Sequence, residues 1–146
     1  MIAVDTNVFV YTVDADEPAK QDQAIRLVRG LYEGEEPVYL MWQVCGEYIR
    51  QLRRRQQKFG MNEQTLRQIV SGVRELFPLV IPSERIIDRA LDLVTTHTLS
   101  HWDSMLVAAC LEAGINTLYT EDMGAPRSIE SLKLVNPFAV PPAAGP

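Results

Sequence analysis

The 146-residue chain has only two cysteines, and Cys45 and Cys110 stand at no metal-ligand spacing. That excludes a disulfide-stapled fold and leaves both as reduced thiols in the core of an expected cytoplasmic protein. Long apolar runs are also missing. The longest uncharged stretch of note, residues 37–46, falls far below the ~18 residues a membrane span needs. Asp5 interrupts the first apolar run, so no signal-peptide pattern opens the chain. Positive charge is in deficit: 14 basic side chains face 19 acidic ones, a net charge of −5. On its own, that balance argues against nucleic acid as a partner. What is present is ordinary for a globular protein, 47% apolar and 23% charged. Such a composition rules out a disordered or collagen-like chain. The length fits one domain, expected over residues 1–138, with a flexible Pro/Ala-rich tail over 139–146.

The apolar pattern alternates between strands and helices. Ile2-Ala3-Val4 reads as a buried strand that delivers Asp5, Thr6 and Asn7 at its carboxyl end. Residues 38–41, 79–81, 117–119 and 132–135 read as four more strands. Helical spacing appears over 19–32, 43–58, 62–77 and 102–113, and in a helix capped by Ser83. This alternation predicts an α/β three-layer fold, with a mostly parallel five-stranded sheet between helices.

In open α/β sheets, ligands bind beyond the carboxyl ends of the strands. Asp5 ends the first strand, and Glu121 and Asp122 follow the fourth. Glu47 and Asp103 lie early in helices. Taken singly, Asp103 can serve the helix dipole, Glu47 a solvated face, and Glu121 and Asp122 a turn. Asp5 is harder to explain as scaffold, because it directly follows a three-residue apolar strand. Several carboxylates gathered at one edge require a cation or protonation, and oxygen ligands suit Mg²⁺ or Mn²⁺.

Four segments in order carry a family resemblance: Val4-Asp5-Thr6-Asn7-Val8-Phe9-Val10, Val44-Cys45-Gly46-Glu47-Tyr48, Trp102-Asp103-Ser104-Met105-Leu106-Val107-Ala108-Ala109 and Thr120-Glu121-Asp122-Met123. Together they resemble the motifs of PIN-domain nucleases, particularly VapC-type toxins. The resemblance implies a PIN-like fold and a Mg²⁺- or Mn²⁺-dependent endoribonuclease. It also implies an antitoxin partner and a homodimer. Asp5, Glu47, Asp103 and Asp122 are then the catalytic acids. Asp5, Asp103 and Asp122 are the metal ligands, and Glu47 holds a water of the ion or a second ion. Thr6, Asn7, Ser104 and Thr120 are expected to orient these acids, and Glu121 is the peripheral member. Two other readings stand beside this one. A receiver-like or aspartyl-phosphatase protein also carries strand-end acids, but position 7 is Asn where the phosphatase pattern needs Asp. A PIN-like domain that binds RNA or protein without cutting is the other.

The charge deficit is uneven. Residues 50–74 hold seven basic side chains and one acidic, a local +6 that leaves −11 for the rest. Arg50, Arg53, Arg54, Arg55 and Lys58 are expected to contact RNA phosphates, with 50, 54 and 58 sharing one helical face. Trp102 is read as packing at a helix entry, with base stacking as the other use for it. His97 and His101 are read as structural.

Overall fold

Ile2–Val4 forms β1, and all three residues are buried. A short apolar strand of this kind suits a position covered on both faces. In the computed structural model, which describes residues 1–139, β1 is the inner strand of the sheet. The remaining elements follow in chain order: α1 (Thr6–Tyr11), α2 (Pro18–Glu33), β2 (Val38–Met41), α3 (Trp42–Arg54), α4 (Glu63–Leu76), β3 (Leu79–Val80), α5 (Ile86–His97), α6 (His101–Glu112), β4 (Thr117–Tyr119), β5 (Arg127–Ile129) and β6 (Leu132–Val135). The sheet runs β3-β2-β1-β4-β6-β5. Every pairing is parallel except that of β5 with β6. Ala3 is in register with Tyr39 on one side and Leu118 on the other.

The sheet has six strands where five were expected. The extra one, β5, buries only Ile129, so it carries no apolar run to announce it. It exists because β6 offers an open edge, and the turn before Leu132 folds the chain back onto it. The helix α1 was also not anticipated. It begins one residue after Asp5, packs Val8, Phe9 and Val10 into the core, and is too short for a full apolar stripe. The Phe9 ring lies 5.7 Å from Tyr48 and 6.2 Å from Phe77, joining α1, α3 and the end of α4.

α3 buries Val44, Tyr48 and Leu52, four residues apart along one face. It stops at Arg54 instead of continuing to residue 58. Beyond Leu52 the stripe ends, and without packing the last turn has little to hold it. Residues 55–60 form turns that close at Gly60, where φ is +59° and a residue without Cβ is favoured. Lys58 therefore does not share a helical face with Arg50 and Arg54. α4 is capped as its sequence implies, the Asn62 side chain accepting from the Thr65 N–H at 2.8 Å. α5 starts at Ile86 and is not capped by Ser83. The Ser83 N–H and hydroxyl donate instead to the Glu112 carboxylate at the end of α6.

α6 is the most buried helix, with Ser104 and residues 106–110 all covered. It holds Cys110, a free thiol whose pKa burial pushes far up; Cys45 is free and half-buried. No helix among the described residues is long and apolar enough to cross a membrane. The tail expected over 139–146 lies, beyond residue 139, outside the described residues. Leu118 on β4 is fully buried. Leu118→Ala is expected to lower unfolding free energy by about 2–5 kcal/mol, read from urea denaturation monitored by circular dichroism.

Candidate active site

Asp5 leaves β1 where its backbone N–H still donates to the Tyr119 carbonyl of β4 at 2.9 Å. The same residue caps α1, so its side chain sits between a strand end and a helix start. One carboxylate oxygen accepts from the Thr6 N–H at 2.6 Å, and the other from the Thr120 hydroxyl at 2.8 Å. The carboxylate is buried, and no cation among the described residues touches it. Burial pushes its pKa up to about 6; the two hydrogen bonds oppose that rise, and the charges of Asp122 and Glu47 add to it.

The other acids arrive from three distant segments, and the carboxylates of Glu47 and Asp122 are held in the same manner. Thr6 donates its hydroxyl to Glu47 at 3.1 Å, and the Gln43 amide donates to the second Glu47 oxygen at 3.0 Å. Asn7 donates to Asp122 at 3.0 Å. The Asp122 N–H returns to the Thr120 hydroxyl at 3.1 Å, which fixes the loop after β4 against Asp5. Asp103 stands in the first turn of α6, its N–H held by the Ser100 hydroxyl. Burial falls from Asp5, through half-buried Glu47 and Asp103, to exposed Asp122. The acids are thus graded from core to solvent.

Asp5, Glu47, Asp103 and Asp122 line one cavity of about 230 Å³, with Thr6, Asn7 and Arg55 also in its wall. Val10, Tyr11, Asp14 and Gln51 complete that wall, and sequence reasoning missed the three polar ones, Tyr11, Asp14 and Gln51. Asp14 is a fifth carboxylate in the cavity and is buried. Its only sequence signal is a place in an ordinary acidic loop. Ser104 does not orient an acid: its hydroxyl donates to the His101 carbonyl. Glu121 turns from the cavity to Lys20 and the Tyr11 hydroxyl, both at 2.6 Å.

The basic residues divide. Arg53 makes a two-pronged pair with Glu63 at 2.9 and 3.1 Å. Lys58 bridges Asp14 and Asp16. Arg50 and Arg54 are exposed, with no ion pair among the described residues. Of these basic residues Arg55 lines the cavity, its guanidinium held by Gln51 and by no carboxylate among the described residues.

All the cavity's anionic donors are oxygens, the ligand class of Mg²⁺ and Mn²⁺. Among the described residues, no three His, Cys, Asp or Glu side chains already form a cage around one point. Mg²⁺ does not need one, since it usually keeps several waters and takes one or two carboxylates directly. Asn7 Oδ1 is buried beside these acids with no hydrogen-bond donor among the described residues. The donor set therefore fits a hydrated divalent ion.

A family model described as PIN domain matches residues 2–127. The chain belongs to the PIN domain family. Solved structures agree with this PIN fold. A toxin–antitoxin complex from Klebsiella pneumoniae is 17% identical with a TM-score of 0.67, covering 96% of this chain and 100% of the other. VapC20 of Mycobacterium tuberculosis, described as a Sarcin-Ricin loop cleaving toxin, is 20% identical with a TM-score of 0.66, covering 89% and 98%. VapBC-1 of nontypeable Haemophilus influenzae is 19% identical with a TM-score of 0.63, covering 94% and 98%. No curated protein sequence matches the chain.

The raised pKa of Asp5 in this PIN domain has a thermodynamic consequence. Between about pH 4 and pH 6 the native state holds a proton that the unfolded state has released, so stability falls as pH rises through that window. In EDTA at pH 7.5, Asp5→Asn is expected to raise unfolding free energy by about 1–3 kcal/mol. The gain should vanish below pH 4, where Asp5 is protonated in both states. Urea unfolding of both proteins at pH 3.5 and 7.5 measures this, and an equal difference at the two values would contradict it.

Proposed function

We propose that this protein is a Mg²⁺- or Mn²⁺-dependent endoribonuclease and the toxin of a toxin–antitoxin pair, acting in the cytoplasm, with residues 1–138 as its nuclease domain. The observation that carries this reading is the convergence of Asp5, Glu47, Asp103 and Asp122 on one cavity of a PIN fold. When bound, a divalent ion lowers the pKa of a water and neutralises charge on the phosphate. Asp5, Asp103 and Asp122 would hold it. Glu47, oriented by Thr6 and Gln43, orders water on the same side of the cavity. Thr120 and Asn7 keep their acids in place with neutral donors, so no protein cation competes for the carboxylates. Arg55 is placed to take a phosphate oxygen as the strand crosses the cavity.

The structural relatives occur in toxin–antitoxin complexes, which supports an antitoxin partner here. An apolar groove of about 470 Å³ between α2 and α4, lined by Ile25, Val28, Ile69, Val73 and Leu76 among others, is the surface we assign to it. Ile87, Leu91 and Val94 form an exposed apolar row on α5 and are assigned to a second copy of the chain.

Purified protein incubated with total cellular RNA should cleave it with Mn²⁺ and not with EDTA. Asp5→Asn and Asp103→Asn should each reduce cleavage by about 100-fold or more. Cleavage that survives EDTA or either substitution would refute the metal-dependent mechanism. Binding without cleavage of any RNA would point to a non-catalytic domain. Arg55→Gln is expected to lower kcat/KM about tenfold, as loss of one charge-assisted phosphate contact should. Arg53→Gln, which breaks a pair with Glu63, should leave kcat/KM near the wild-type value.

A further inference from the structure

Trp42 and Trp102 are the chain's only tryptophans, and both are largely exposed, at 57% and 62%. Neither packs a helix entry into the core, so the packing reading of Trp102 is corrected by its exposure. Trp102 occupies the first turn of α6, directly before Asp103 of the acid cavity. His101 lies against it edge to face, with ring centroids 4.8 Å apart at 70°. Gln43 ties this aromatic pair to the site. Its amide donates to the Trp102 carbonyl at 3.0 Å and to Glu47 at 3.0 Å. One side chain thus links the backbone under the indole to a cavity acid.

The chemistry of this patch differs from that of the other exposed apolar surface. Ile87, Leu91 and Val94 are aliphatic and fit a protein partner, the second copy of the chain to which they are assigned above. An indole braced by an imidazole presents a flat π-face, which matches a nucleobase. Bases inside a duplex have both faces covered, whereas unpaired bases in loops and single strands can stack on protein aromatics. Building on the ribonuclease reading above, we propose that Trp102, backed by His101, stacks on an unpaired base next to the phosphodiester held at the acid cavity. Trp102 would then set which bond reaches the acids.

The two-tryptophan composition makes this directly testable. Trp42→Phe leaves Trp102 as the sole indole, and Asp5→Asn in the same chain prevents turnover. Titration with an unstructured RNA octamer in Mg²⁺ should quench Trp102 emission to saturation. The same strand annealed to its complement should bind weakly and quench little. In the otherwise wild-type enzyme, Trp102→Ala should lower kcat/KM for the octamer about 5- to 100-fold, mostly through KM, and Trp102→Phe should recover most of it. Labelled RNA that binds by anisotropy while Trp102 stays silent would overturn the proposal and leave the ribonuclease reading standing. So would equal quenching by the duplex. Trp102 emission that shifts with protein concentration in the absence of RNA would assign this face to a second copy instead. RNA that is neither bound nor cut by the wild-type protein would refute both readings.

Discussion

A buried carboxylate without a cation is an unfavourable thing for a fold to carry, and Asp5 is one. Much of the surrounding architecture follows from holding it. Its two oxygens are met by the Thr6 N–H and the Thr120 hydroxyl, so α1 must start immediately after β1. For the same reason β4 must lie beside β1, in a register that brings Thr120 level with Asp5. The buried apolar core, Val4, Phe9 and Tyr48 among its members, supplies the stability that the charge removes. Functional sites are where a fold gives up stability in this way.

The same choice of partner recurs around the cavity and reverses outside it. Glu47, Asp122 and Asp5 are each gripped by hydroxyls, amides or a backbone N–H. Outside, Glu63, Glu121 and Glu130 pair with Arg53, Lys20 and Arg89. A neutral donor fixes a carboxylate without cancelling its charge, whereas Lys or Arg does both. The division therefore preserves negative charge in the cavity and neutralises it elsewhere. Asp14 is the intermediate case, since it lines the cavity and is also reached by Lys58 at 3.6 Å. Its charge is partly offset from outside, which sets it apart from the four acids.

How much of this is readable in the sequence depends on what fixes each element. Strands at 38–41, 117–119 and 132–135 have the bounds their sequences imply, because residues 38–41 form an uninterrupted apolar run and Leu132 and Leu134 alternate with exposed Lys133. α4 begins where Asn62 says it should, since a cap is local chemistry. Elements fixed by tertiary contact were not legible. β5 depends on the free edge of β6, and α1 on the pocket made by α3 and α4. The end of α3 is set by packing that stops at Leu52. The site divides in the same way. Its acids sit in short patterned segments at strand ends and helix starts. Tyr11, Asp14 and Gln51 reach the cavity only because α1 and α3 pack together, and nothing local marks them.

The charge distribution holds more than the composition alone conveys. A run of five cations reads as one basic face, but the fold gives its members different tasks. Arg53 joins α3 to α4 through Glu63, and Lys58 pins the turn after α3 to the loop after α1. Those two charges are spent on structure and add little field toward a ligand. Arg50 and Arg54 face solvent, where their interaction with a strand is screened within about 8 Å at physiological salt. Arg55 remains, in a cavity wall otherwise dominated by carboxylates. A phosphate approaching that cavity meets net repulsion unless the carboxylates are first neutralised. On the function proposed above, attraction for RNA would therefore be conditional on the same cation that the chemistry would require. Under that proposal a net charge of −5 is compatible with a polyanionic substrate, because the charge that matters would be that of the occupied cavity and not that of the whole sequence.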